Sequence, residues 1–283
     1  MKFSTLLQPA DLMGHLEDPE WLVLDCRFDL TDPRAGALAW SEGHVPGAVH
    51  ADLERDLSGP VTPQSGRHPL PAPAAFAATL CRWGVTVRTQ VVAYDASSGM
   101  FAARLWWMLR WMGHGAVAVL DGGLQAWSAA GGAQDTSRSR RPASSFSGRP
   151  TEGMTVTAAE LAGLLAQGAC LLIDARSPER FEGRSEPLDA LAGHVPGAVN
   201  HPCQWNLRAD GRLHLPADLR ERWSTTLGNR TGAETVCMCG SGVTACHDLL
   251  AMEHAGIGGG RLYAGSWSEW IRDPGRPVAR GPA

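Results

Sequence analysis

One segment of this chain is written twice. Gly43-His44-Val45-Pro46-Gly47-Ala48-Val49-His50 returns as Gly193-His194-Val195-Pro196-Gly197-Ala198-Val199-Asn200, with seven residues agreeing in order. Chance rarely gives such a match, so the chain is read first as two copies of one plan. A Pro-Gly inside each copy marks a tight turn ahead of a short strand.

The flanking blocks repeat as well. Trp21-Leu22-Val23-Leu24-Asp25-Cys26-Arg27 pairs with Cys170-Leu171-Leu172-Ile173-Asp174-Ala175-Arg176. Each is an apolar run ending in Asp-x-Arg, the pattern of a buried strand with a charged exit. An ion pair is expected within each Asp-x-Arg. Gln90–Asp95 pairs with Glu234–Cys239, and Val119–Trp127 pairs with Arg261–Trp270; in both, a strand hands over to a helix. Strands alternating with helices predict an α/β fold, with two tandem domains that are each an open, mostly parallel sheet covered by helices on both faces. The expected boundaries are 1–132 and 154–283. Residues 133–153, rich in Ser, Arg, Gly and Pro, are the expected linker. Trp106, Trp107 and Trp111 are expected in packing, not in a stacking site.

Composition narrows the function classes. A chain of 283 residues with 44% hydrophobic and 19% charged content is globular. Its net charge of −4 argues against nucleic acid as the main partner. No apolar run approaches the ~20 residues that span a bilayer, so no membrane association is expected. Residues 1–9 lack the apolar core of a signal peptide. The seven cysteines are irregularly spaced and the ten histidines scattered. A disulfide framework, a metal site and any other cofactor are therefore not expected, and a cytoplasmic setting is.

The chemistry concentrates in Thr235–Ala251, where an apolar run turns through Gly240-Ser241-Gly242 into a helical pattern. Cys239 stands at the end of the strand, just before the turn. Ligands of open α/β sheets sit outside the carboxyl ends of the strands. Backbone N–H groups of Gly240, Gly242, Val243 and Thr244 are expected to converge there, forming a nest that favours an anion. Such a setting suits a thiolate nucleophile. The other copy carries Asp95 at this position, so one copy is expected to be active. Cys237 should point into the core, and Cys246, two turns into the helix, should pack there too.

Taken together, the doubled Gly-His-Val-Pro-Gly-Ala, the Cys239–Ala245 loop and the terminal Tyr263–Trp270 segment resemble the tandem rhodanese-domain sulfurtransferases over nearly the whole chain. The Gly-Ser-Gly after the cysteine is similar to the loop of the 3-mercaptopyruvate enzymes. Thiosulfate enzymes of the family more often carry basic residues there. The resemblance implies a persulfide formed on Cys239 from a small anionic donor and passed to a thiol, to cyanide or to a protein such as thioredoxin. It also implies a substrate-binding role for Arg180 and a proton-handling role for His44 with Ser241. A second arginine usual in a downstream Glu-Pro-Arg is missing, since the segment reads Glu186-Pro187-Leu188; Arg184 is the nearby candidate to replace it. Turn geometry is an equal reading of His44, because His194 repeats it.

Three other readings stand beside this one. Thiosulfate is the alternative donor. A cysteine phosphatase of related fold would need Cys-x5-Arg, but the required position holds Ala245. A non-catalytic sulfur carrier or interaction module is the third.

Overall fold

Buried apolar strands paired side by side in parallel form the core of each half, as the repeated runs predict. The computed structural model describes residues 2–139 and 141–282. The chain divides into two units. Unit 1 comprises Met1–Gly59, Leu70–Thr151 and Ala209–Leu213; unit 2 comprises Pro60–Pro69, Glu152–Arg208 and His214–Ala283.

In unit 1 the strands are β1 (Leu6–Leu7), β2 (Trp21–Asp25), β3 (Val49–His50), β4 (Gln90–Tyr94) and β5 (Val117–Leu120), in the order β1-β5-β4-β2-β3, with every pair parallel. Its helices are α1 (Pro9–Met13), α2 (Ala35–Glu42), α3 (Pro73–Arg82), α4 (Ala102–Trp111) and α5 (Gly123–Ala129). Helix α4 is buried on nearly all sides, and its Trp106, Trp107 and Trp111 lie in the interior, as expected. Unit 2 repeats the plan with β6 (Leu171–Asp174), β7 (Ala198–Asn200), β8 (Thr235–Met238) and β9 (Arg261–Leu262), in the order β7-β6-β8-β9, again all parallel. Helices α6 (Ala158–Ala166), α7 (Pro178–Phe181), α8 (Pro216–Leu227), α9 (Ala245–His254) and α10 (Ser266–Trp270) accompany it.

Register follows the repeat. Asp25 pairs with His50 across β2–β3, and Asp174 with Asn200 across β6–β7. The Asp-x-Arg pairs form at both strand exits. Arg27 holds Asp25 through Nε and Nη2, and Arg176 holds Asp174 in the same way at 2.6–3.0 Å. Buried charges persist only when paired so well.

The expected boundaries need correcting in two respects. Each unit includes a short stretch from within the other's sequence range, at 60–69 and at 209–213. The run expected as a linker belongs to unit 1 as far as Thr151 because its backbone is bonded there. Asp135 and His44 exchange amide bonds, Ser144 N–H donates to the Cys81 carbonyl, and Thr151 N–H donates to the Trp111 carbonyl.

After β4, where the other copy has its cysteine, Asp95 closes its own loop. Oδ1 accepts from the amides of Ser97 and Gly99, and Oδ2 from those of Phe101 and Ala102, at 2.7–2.9 Å. Burial pushes this carboxyl above its usual range, and the four amides pull against that. Asp95→Asn turns an NH2 toward two of those donors. It should cost about 1–3 kcal/mol, read as a lower urea midpoint against wild type.

In unit 2, His201 is buried, stacked on Trp223 at 3.9 Å, with Nδ1 at 2.8 Å from Thr226 Oγ1. Burial lowers its pKa to about 4. The unfolded chain then binds a proton below the ordinary histidine pKa that the folded chain refuses. His201 should therefore cost stability as pH falls from about 6.5 toward 4, by up to about 1.4 kcal/mol per pH unit. Chemical unfolding of wild type and His201→Gln across that range should give a flatter pH dependence for the variant.

Candidate active site

Strand β8 is fully buried and ends at Met238, so Cys239 is the first residue beyond it rather than the last within it. The next segment is stitched to the start of α10. Cys239 N–H donates to Ser266 Oγ at 3.0 Å, while the carbonyls of Cys239 and Gly240 accept from the amides of Trp267 and Ser268, each at 3.0 Å. Ser266 holds a left-handed backbone, φ +54°, and its hydroxyl donates to the Tyr263 carbonyl. A buried non-glycine residue in that conformation persists only where its surroundings fix it.

Gly242 turns the loop with φ +75°, and a Cβ there would lie 2.3 Å from the Ala264 carbonyl oxygen. No other residue fits. This turn brings the Gly242 amide to 3.1 Å from Cys239 Sγ. Cys239 is 2% exposed, so the sulfur lies at the floor of the loop. An amide so placed is a donor to sulfur that carries negative charge. Val243 is buried, and Thr244 is the residue before α9, with no side-chain capping bond.

Two guanidiniums stand over Gly240. A Cβ built on that glycine would lie 3.3 Å from Arg180 Nη2 and 2.9 Å from Arg67 Nη2. Arg180 is oriented by Glu186, which accepts from Nε at 3.1 Å and from Nη2 at 2.7 Å, and Asp189 Oδ2 lies 3.3 Å from Nη2. Arg180 thus stands over the cysteine loop, held by two carboxylates. Arg184 does not. Its side chain is 57% exposed and its guanidinium pairs with Glu182 and Glu179. Local carboxylates hold it at the surface, and the cation beside Arg180 comes from residue 67.

The expectation for His44 is also corrected. Its ring is fully buried, with Nδ1 2.7 Å from the Trp40 carbonyl and Nε2 3.0 Å from that of Ser137. Both nitrogens are taken by backbone, which leaves none to exchange a proton with a substrate. His194 repeats the arrangement, with Nδ1 2.8 Å from the Phe181 carbonyl and its ring stacked on Phe181 at 3.8 Å. The repeated histidine fixes a turn. The histidine that meets Ser241 is His68, with Nδ1 2.8 Å from Ser241 Oγ and both residues nearly buried. His68 and Arg67 lie in the 60–69 stretch; its counterpart in the other copy repeats the Gly-Arg as Gly211-Arg212 but has Leu213 where His68 stands. Two prolines and a glycine within four residues of them marked only a loop.

The other thiols near the site are structural. Cys237 is fully buried in β8, and burial pushes its thiol up. Cys246 lies in the first turn of α9, not two turns in, and its thiol donates to the Gly242 carbonyl at 3.4 Å.

Comparison with known proteins agrees with this layout. The rhodanese-like domain profile matches residues 8–130 and 157–273. A Pseudomonas aeruginosa protein, provisionally named a 3-mercaptopyruvate sulfurtransferase, is 50% identical over 99% of this chain and 100% of its own length. A Mycobacterium tuberculosis relative, SseB, provisionally named a thiosulfate sulfurtransferase, is 39% identical over 99% of this chain and 98% of its own length. The crystal structure of Escherichia coli SseA, titled as a 3-mercaptopyruvate sulfotransferase, superposes with a TM-score of 0.82 at 30% identity, covering 94% of this chain and 100% of that one. A doubled parallel-sheet plan with a cysteine loop in one copy thus has its relatives, and the chain belongs to the rhodanese family as a tandem of two rhodanese-like domains.

Proposed function

We propose that the chain is a sulfurtransferase that takes sulfane sulfur from 3-mercaptopyruvate onto Cys239 and passes it to a thiophilic acceptor. The observation that carries this reading is the pairing of one sulfur beneath the Gly242 amide with two guanidiniums above Gly240. A nucleophile and an anion-binding edge meet at one loop.

In the first step the Cys239 thiolate attacks the donor's sulfur. A sulfur–sulfur bond forms and the donor's carbon–sulfur bond breaks. Its electron pair stays on carbon, giving the enolate of pyruvate, which takes up a proton. Ser241, two residues after Cys239, is hydrogen-bonded to His68, and this pair handles that proton. In the second step a nucleophile such as cyanide attacks the outer sulfur, leaves with it as thiocyanate, and returns Cys239 as thiolate. Dividing one transfer into two is the ordinary gain of covalent catalysis. Amides of the loop, Gly242 first, stabilise the anionic persulfide. A thiol, including a protein thiol such as that of thioredoxin, serves equally as acceptor. The irregular spacing of the seven cysteines is what suggests a reducing, cytoplasmic setting. Among the described residues no helix is long and apolar enough to cross a membrane.

Thiosulfate is the second reading, favoured by the M. tuberculosis relative and by the same pair of arginines, which suit a sulfonate as well as a carboxylate. Turnover with each donor, cyanide as acceptor, separates them. Greater kcat/KM with 3-mercaptopyruvate is expected, and equal or greater turnover with thiosulfate would overturn the donor assignment. Cys239→Ser should abolish transfer while leaving the far-ultraviolet circular dichroism unchanged. His68→Gln should lower kcat with 3-mercaptopyruvate on the order of 10²-fold and alter its pH profile. Unchanged kinetics in that variant would remove the proton-handling role.

A further inference from the structure

After Glu186-Pro187 the sequence carries Leu188, where the resemblance noted in the sequence implies a second arginine. The next residue answers the loss. Asp189, whose side chain is 5% exposed, binds Arg180 and also binds Nη1 of Arg67. One buried carboxylate thereby holds two guanidiniums together at the mouth of the cysteine loop.

Arg67 is fixed from several directions. Its amide donates to Ser268 Oγ at 3.1 Å. Gly66 before it lies so close to the Gly265 carbonyl that a Cβ would come within 2.4 Å of that oxygen. His68 after it is tied to Ser241. The guanidinium therefore reaches Gly240 from a backbone that is already placed, and little ordering remains to be done when an anion arrives. Nη2 of Arg67 and Nη1 of Arg180 make no hydrogen bond among the described residues, and both lie within 3.4 Å of the Cβ position of Gly240. Their side chains are 26% and 18% exposed, open enough to be reached from solvent. Two donor edges free on their inner sides, next to the nucleophile, match a ligand with acceptors on two adjacent carbons. A 2-oxo carboxylate is such a ligand.

We propose that Arg67, positioned by Asp189, is the second donor-binding cation of this site and that with Arg180 it selects a sulfur donor bearing a 2-oxo carboxylate. The inference rests on the sulfur-transfer reading above and adds to it a specificity residue from the 60–69 stretch. It assigns Asp189 as the residue that positions both arginines. It also explains how a chain with leucine at 188 can keep a two-cation site.

The test is steady-state kinetics of the full chain carrying Arg67→Gln, Arg67→Lys or Asp189→Asn. Each is assayed with 3-mercaptopyruvate and with 1-mercaptopropan-2-one, a mercaptoketone that lacks the carboxylate. Losing one charge-assisted contact should raise KM for 3-mercaptopyruvate about 10- to 100-fold in Arg67→Gln, by more than kcat falls. Arg67→Lys should recover part of the loss, and Asp189→Asn should raise the same KM. With the mercaptoketone, which offers Arg67 no carboxylate, Arg67→Gln should change KM far less than it does with 3-mercaptopyruvate, a difference that a merely structural role for Arg67 would not give. An unchanged KM for 3-mercaptopyruvate in Arg67→Gln, or equal losses with both donors, would overturn the assignment while leaving sulfur transfer intact. If wild type transferred sulfur from neither donor, the functional reading would fall and this inference with it.

Discussion

The site depends on how one short loop is closed. Between β8 and α9 the chain must reverse around a sulfur atom, and the reversal is possible only because Gly242 can take φ +75° against the Ala264 carbonyl. That single turn aims the Gly242 amide at Cys239 and draws the carbonyls of Cys239 and Gly240 onto the amides of Trp267 and Ser268. Strand β8 beneath and helix α9 behind are both buried, so the loop is mounted on the least yielding part of unit 2. Preorganisation of this kind lets a few donors count for much, since none has to be reoriented as charge develops.

The twin loop in unit 1 shows the same geometry serving a different purpose. Asp95 occupies the cysteine's place and takes four amides on its carboxylate. Its loop carries a permanent internal acceptor where the other has a reactive sulfur. The two copies thus both turn backbone N–H toward the side chain that follows a central strand, four amides in unit 1 and the Gly242 amide in unit 2. One of them fills the cradle with its own side chain. Duplication supplied the frame twice, and the side chain at a single position separates a closed structural loop from a nucleophilic one.

Much of this was legible from residues close together in sequence. Period and repetition gave both sheets, the Asp-x-Arg pairs and the cysteine loop, because these depend on neighbours along a strand or across one turn. What escaped depends on long-range docking. Arg67 and His68 meet Asp189 and Ser241 across more than a hundred residues, from a Pro- and Gly-punctuated stretch whose partner at 209–213 repeats the arginine but not the histidine. Local pattern has no means of placing such a segment. His44 misled for the opposite reason. It lies in a well-matched motif, and the match reports a shared turn in which the imidazole bonds the carbonyl of a nearby aromatic residue, Trp40 in one copy and Phe181 in the other. The boundary expectation failed similarly, because a run rich in Ser, Arg, Gly and Pro can still be bonded along its backbone to the unit it leaves.

All of this converges on a persulfide at residue 239. The direct measurement is peptide mass spectrometry of the protein after brief exposure to 3-mercaptopyruvate without acceptor. The account predicts one added sulfur atom, confined to the peptide that carries Cys239 and removed by cyanide. Added sulfur on Cys81, the most exposed of the seven cysteines, with the Cys239 peptide unmodified, would contradict it.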